Sequence, residues 1–255
     1  MWWEPLEVDV PFLDRVDAGR RMADRLAGLR AEHPVVIGLP RGGVPVAAQI
    51  AGSLGAPLDV LVVRKLGHPL QPELGIGAIG EGGALVLNLE LIDHLCVSSD
   101  AIRRVRAREE LELVRRVERY RGGRARIPLQ GRTVVLVDDG LATGFTARTA
   151  VDVLRHLGAQ RVVLAIPVAP AETIAELRPL ADDVVCLEIP PSFGAIGEWY
   201  ADFDQVQDTE VIALLARAAA RPASAFDALT ERRGSLGPVP GGTFAPVQPP
   251  DDVVE

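Results

Sequence analysis

Along this chain, runs of consecutive aliphatic and β-branched residues alternate with stretches whose apolar residues recur every third or fourth position. The runs suit strands buried on both faces, and the longer period suits helices with one apolar side. Val16, Met22, Leu26 and Leu29 predict a helix over 14–29, ended by His33-Pro34. A buried strand follows at 35–39, then Pro40-Arg41-Gly42-Gly43, then a helix over 44–54 stopped by Gly55. The same pattern predicts strands at 59–63, 133–137, 161–166 and 183–187. Helices are predicted at 99–120, 144–157, 171–180 and 206–220. Ser98-Ser99-Asp100 offers caps for the first of these, and Gly122-Gly123 offers its stop. Strand and helix in alternation predict an α/β chain with a parallel sheet and helices on both faces.

The glycine-rich segment 67–83, nearly uncharged apart from Glu73 and Glu81, breaks this alternation. It is too long for a simple connection and reads as a flexible β-hairpin lid, with strands between Leu74 and Leu89. Within it, Gly75-Ile-Gly77-Ala-Ile-Gly80 fits the G-x-G-x-x-G dinucleotide fingerprint. That fingerprint requires a strand directly before and a helix directly after, and neither is predicted here.

Composition narrows the picture. With 255 residues, 48% of them apolar, the chain can bury one substantial core. The expected division is an arm over 1–13 packing through Trp2, Trp3 or Phe12, one domain over 14–221, and a disordered tail over 222–255 rich in Pro, Gly and Ser. A net charge of −8 argues against broad nucleic-acid or membrane binding, so any phosphate site must be local. The arginine-rich helix at 99–120 also carries glutamates, and reads as a solvated or subunit-facing surface laced with i,i+4 pairs. Cys96 and Cys186 form no C-x-x-C and read as small buried side chains. Neither a leader nor a membrane-spanning run is evident, so a cytoplasmic protein is expected.

The candidate chemistry lies at predicted strand ends. Thr133-Val-Val-Leu-Val-Asp138-Asp139-Gly-Leu-Ala142-Thr143-Gly144-Phe145-Thr146 ends a buried strand in two carboxylates, then opens a helix through small and hydroxylated residues. Carboxylates suit sugar hydroxyls, and amides at a helix start suit phosphate. A plain turn after a strand has no need of Thr-Gly-x-Thr opening a helix. Pro40-Arg41-Gly42-Gly43 is a second loop that could bring amides and a cation to an anion, although an ordinary strand-to-helix turn uses the same glycines. Arg64 and Lys65 stand past a third strand, as pyrophosphate ligands or as a solvated pair. Aromatic residues gather at 190–203, where Phe193, Trp199 and Tyr200 could stack on a flat ring or seal the core under a long loop.

The stretch from Thr133 to Thr146 resembles the phosphoribosyl-diphosphate (PRPP) motif of the type I phosphoribosyltransferases: an apolar strand, two acidic residues, three small or apolar residues, then Thr-Gly-x-Thr. The order of Pro-Arg-Gly-Gly, Val-Arg-Lys-Leu-Gly, Val-Asp-Asp-Gly-Leu-Ala-Thr-Gly and Glu-Trp-Tyr-Ala-Asp-Phe looks like bacterial members with no assigned acceptor. The resemblance implies a phosphoribosyltransferase-like fold with a closing lid and a small C-terminal hood. It implies transfer of the 5-phosphoribosyl group of PRPP to a nucleobase or similar small acceptor, with release of pyrophosphate.

Carried over by position, Asp138 and Asp139 would hold the ribose hydroxyls, and Ala142, Thr143, Gly144, Phe145 and Thr146 the 5-phosphate. Pro40, Arg41, Gly42 and Gly43 would hold the pyrophosphate, Arg41, Arg64 and Lys65 would stabilise the leaving oxygens, and Phe193, Trp199 and Tyr200 would form the acceptor hood. Mg²⁺ would sit near Asp138 and Asp139, held by PRPP and water with no direct protein ligand. Expected partners are PRPP and the acceptor, without nucleic acid or membrane, and a homodimer stays open. Many 6-oxopurine enzymes of the family carry an acidic residue where this chain has Ala142, which leaves the acceptor open and makes Glu81, Glu198 and Asp202 the carboxylates to consider as base. A PRPP-sensing regulator and a PRPP hydrolase are the alternatives.

Overall fold

A computed structural model describes residues 11–220. The expected arm up to residue 10 and the tail over 222–255 lie outside the described residues. Asp14 opens α1 (Arg15–Arg25) by accepting the Asp17 N–H at 2.7 Å. A 3-10 segment over 27–32 completes what the apolar spacing predicts as one helix. β1 (Val35–Gly38), α2 (Gly43–Leu54) and β2 (Leu58–Val60) follow, with Gly55 closing α2 at a φ of 65°. β3 (Val63–His68), β4 (Gln71–Gly80) and β5 (Leu85–Leu87) come next, then α3 (Leu89–His94) and α4 (Ser99–Arg121). β6 (Thr133–Val137), α5 (Phe145–His156), β7 (Arg161–Val168), α6 (Ala171–Leu177), β8 (Asp183–Glu188) and α7 (Asp208–Ala219) complete the described chain.

Five strands form a parallel sheet in the order β2-β1-β6-β7-β8. Its register explains the continuous apolar runs. Val36, Val135 and Val163 align across three strands and pack on one face with Met22 of α1, Ile50 of α2 and Leu215 of α7. The next row, Ile37, Leu136 and Leu164, faces the other side and packs with Leu154 of α5 and Leu177 of α6. Both faces are therefore covered by helices, as the alternation predicts.

The other three strands form a separate antiparallel sheet, β3-β4-β5. The sequence places a strand at 59–63 with Arg64 and Lys65 at its end. Instead the chain leaves the main sheet at Val60 and begins the second at Val63, so Arg64 and Lys65 lie inside β3. The expected hairpin over 74–89 is present as β4 and β5, with β3 as an added partner. The G-x-G-x-x-G glycines sit within β4, where a Cβ on Gly77 would collide with the Val86 carbonyl and one on Gly80 with Val153. Close packing accounts for these two.

Two local features depart from the sequence reading. Asn88 accepts the Leu91 N–H at 3.0 Å and starts α3, a helix hidden by the extended-looking residues before it. Cys96 is exposed at a φ of 51° rather than buried. Cys186 is half-buried, and burial pushes its thiol up to about 11.

A buried ion cluster joins the two sheets. Arg121, at the end of α4, donates from Nε to Asp59 Oδ1 at 2.9 Å, from Nη2 to the Val60 carbonyl at 2.7 Å, and from Nη1 to Glu81. Glu81 accepts the Val62 N–H at 3.0 Å, and Asp59 accepts the Ile127 N–H at 3.1 Å. All three side chains are at most 7% exposed. Every charge in the cluster has partners, which is the condition under which a buried ion cluster is tolerated. Arg121→Met leaves two buried carboxylates without their cation. It is expected to lower the unfolding free energy in urea by about 3–5 kcal/mol, and a loss below about 1 kcal/mol would count against this role.

Candidate functional site

The site is set by β1 and β6 lying side by side. The Leu39 N–H donates to the Val137 carbonyl at 2.8 Å, so the two loops leave the sheet from adjacent strands at the same level. In the first loop the Pro40–Arg41 peptide is cis. A Cβ on Gly43 would lie 2.5 Å from the Val137 carbonyl oxygen and 2.8 Å from Asp138 Cα, and a Cβ on Gly42 would overlap the Asp139 carboxylate. Only glycine lets this loop lie against the two carboxylates.

The second loop runs from Asp138 to the start of α5. Thr173 donates to the Ala142 carbonyl at 2.8 Å, and Gly144 adopts a φ of 65° against the Thr173 methyl and Leu177. With the loop fixed, the N–H groups of Thr143 to Ala147 have no acceptor among the described residues and stand free at the helix start. Thr143, Phe145 and Thr146 have exposed side chains.

Asp138 Oδ1 accepts the Asp139 N–H at 3.0 Å, and Asp139 Oδ2 accepts Arg15 Nε at 2.7 Å. The two carboxyl groups also meet side chain to side chain, and Asp138 Oδ2 and Asp139 Oδ1 accept no N–H from a described residue. Burial, and then the neighbouring Asp139 charge, push the Asp138 pKa well above the ordinary aspartate value, opposed in part by Arg15.

The predicted cations meet different partners. Arg41 is half-buried and makes no ion pair with a described residue. Arg64 is held by the buried Glu109 of α4 at 2.6 Å. Lys65 pairs at 3.2 Å with the fully exposed Glu73, and its stem and the Phe145 ring both border Gly75. The antiparallel sheet thus touches the start of α5.

The expected hood behaves differently from its sequence reading. Tyr200 is 4% exposed, stacks on Phe203 with centroids 4.9 Å apart, and donates its hydroxyl to the Asp139 carbonyl at 2.5 Å. It supports the carboxylates from beneath. Phe193 and Trp199 pack on the same small cluster as Phe12. A cleft of about 350 Å³ is lined instead by Arg15, Arg41, Gly42, Asp139, Phe203, Gln205 and Val206. Arg15 and Gln205 had no mark in the sequence, since both read as polar surface, whereas Phe203 closes the Glu-Trp-Tyr-Ala-Asp-Phe run and could have been chosen. Of the carboxylates considered as base, Glu81 is committed to Arg121, and Glu198 and Asp202 are exposed away from the cleft lining. Among the described residues no three His, Cys, Asp or Glu gather to hold a metal, and no helix is long and apolar enough to cross a membrane.

Polar loops gathered at the carboxyl edge of a parallel sheet define an open α/β protein with a cleft at that edge, where such sheets bind ligands. The model of the phosphoribosyl transferase domain matches residues 13–204, and the chain belongs to that family. Two proteins of Mycobacterium tuberculosis, from strains CDC 1551 and H37Rv and provisionally named as phosphoribosyl transferases, are 54% identical over 207 residues. Those matches take in 81% of this chain but 47% of theirs, so the chain spans about half the length of these relatives. The crystal structure of TT1426 from Thermus thermophilus is similar with a TM-score of 0.73 and 46% identity, covering 81% of this chain and 98% of that one.

The raised Asp138 pKa has a consequence for stability. The folded chain holds this proton more tightly than the unfolded chain, so the contribution to folding is full below the ordinary aspartate range, about 3.9, and is lost as pH rises through the raised value. Asp138→Asn is therefore expected to raise the urea midpoint at neutral pH, with the gain vanishing at about pH 3. Equal midpoints at neutral pH would contradict it.

Proposed function

We propose that this protein transfers the 5-phosphoribosyl group of PRPP to a small acceptor, a nucleobase or similar compound, and releases pyrophosphate. The observation that carries the reading is the pair of adjacent carboxylates Asp138 and Asp139, each with an oxygen that accepts no N–H, set between a glycine loop and a helix start with unpaired N–H groups. Two hydroxyls, a phosphate and a diphosphate on one sugar match that set of acceptors and donors.

Breaking the bond from ribose C1 to pyrophosphate leaves positive charge on the sugar and negative charge on the leaving oxygens. In this reading Asp138 and Asp139 orient the ribose hydroxyls, the N–H groups of 143–147 hold the 5-phosphate, and the loop of Pro40, Arg41, Gly42 and Gly43 holds the pyrophosphate. Arg41, which has no ion partner among the described residues to give up, takes most of the developing negative charge. Lys65 can join it, because a surface pair such as Lys65–Glu73 is worth only about 0–1 kcal/mol. Arg64 is bound to a buried partner and acts as scaffold for β3. The two carboxylates also suit Mg²⁺ bound to PRPP and water beside Asp138 and Asp139, where the ion would supply further neutralisation of the diphosphate.

A second reading, hydrolysis of PRPP, is favoured by one feature: Asp139 is the only carboxylate of the described residues that lines the cleft. Water needs no acceptor pocket, whereas a neutral base needs a group to take its proton.

Pyrophosphate release from PRPP, measured with and without a panel of nucleobases, separates the readings. Release that depends on a base is expected, release indifferent to any base would establish the hydrolase, and binding without release would establish a sensor. Replacing Asp138 and Asp139 together by Asn is expected to weaken PRPP binding about 100-fold, from roughly 1.5 kcal/mol for each charge-assisted hydrogen bond. Unchanged affinity would remove the ribose from this site.

A further inference from the structure

Arg15 is the polar side chain in the cleft with the most fixed position. Its Nε donates to Asp139 Oδ2 at 2.7 Å, its Nη1 donates to the Asp204 carbonyl at 2.8 Å, and its guanidinium carbon lies 3.8 Å from the centroid of the Phe203 ring. Its side chain is only 12% exposed and that of Asp139 13%. A surface ion pair loses much of its energy to solvent and to side-chain freedom, but this guanidinium is already ordered by a ring face and a carbonyl.

The geometry also divides the Asp139 carboxylate. Arg15 takes Oδ2, the Gly42 backbone closes against the group from the β1 side, and the Tyr200 hydroxyl holds the Asp139 carbonyl. Rotation of the carboxylate about its last bond would break the Arg15 contact, so Oδ1 is kept in one direction. Resting on the PRPP reading above, we infer that Arg15 is a positioning residue for the ribose: it fixes Asp139 so that Oδ1 is held ready for a sugar hydroxyl, and it ties that carboxylate to the hood through Phe203 and Asp204. The sugar-binding carboxylate and the wall of the acceptor cleft therefore share one guanidinium.

The test compares the wild-type chain with Arg15→Gln and Arg15→Lys by calorimetric titration, using PRPP with Mg²⁺ in one arm and inorganic pyrophosphate with Mg²⁺ in the other. Thermal melting of each variant is recorded alongside. Arg15→Gln is expected to bind PRPP about tenfold more weakly and pyrophosphate within about twofold of wild type, with Arg15→Lys recovering part of the PRPP affinity. A positioning role acts on the sugar and spares the pyrophosphate loop. Wild-type PRPP affinity in Arg15→Gln would overturn the inference alone, leaving the PRPP reading in place. Equal loss of both ligands, unrelieved by Lys and accompanied by a lower melting temperature, would also overturn it by showing a structural role. Failure of the wild-type chain to bind PRPP would overturn both.

Discussion

The parallel pairing of β1 with β6 is the constraint on which the site depends. The two strands are separated by nearly a hundred residues of chain, yet their loops leave the sheet at one level because Leu39 and Val137 are hydrogen-bonded neighbours. Once they do, the loops occupy the same space, and the only resolution is to remove side chains. Gly42 and Gly43 are that resolution, so their identity follows from the backbone route of a distant part of the chain. A loop that can touch another loop's backbone can also present its own amides at short range, so the packing solution and the proposed anion site would be a single arrangement.

The electrostatics of the edge show which effects win. Burial raises the Asp138 pKa, the adjacent Asp139 charge raises it further, and Arg15 opposes both in part. One hydrogen bond from Arg15 does not neutralise the pair, and the structure keeps a local strain in charge at the place where a polar ligand would relieve it. Tyr200 responds to the same field, its hydroxyl pushed up by burial first and by the Asp139 charge second, so it stays protonated and able to donate.

Much of this was legible in the sequence because periodicity reports burial directly. Five parallel strands, their helices and the two loops follow from runs such as Val35-Val-Ile and Thr133-Val-Val-Leu-Val and from the glycines after them. What could not be read were relations between distant residues. Arg121 ends a charge-rich helix and looks like its neighbours on the solvent side, where Arg106–Glu110 and Glu112–Arg116 make the expected i,i+4 pairs, yet it is buried between two sheets. Arg64 and Lys65 read as a pair but diverge, because successive residues of a strand face opposite ways. Tyr200 and Phe203 are equally aromatic, yet the first is interior, packed on Phe12, and the second lines the cleft.

The buried cluster around Arg121 also divides the antiparallel sheet into a root and a tip. At the root, Asp59, Glu81 and Arg121 bind the point where the chain departs from the main sheet and the helix on which it returns. The tip, between His68 and Gln71, is an exposed turn carrying an 87% exposed Leu70. Anchorage at the base relieves the far end of any duty to hold the fold together. The sheet is thus held at its root, while the exposed turn at its far end adds little buried surface. The burden of holding this sheet to the rest of the fold therefore falls on three charged side chains and not on its length.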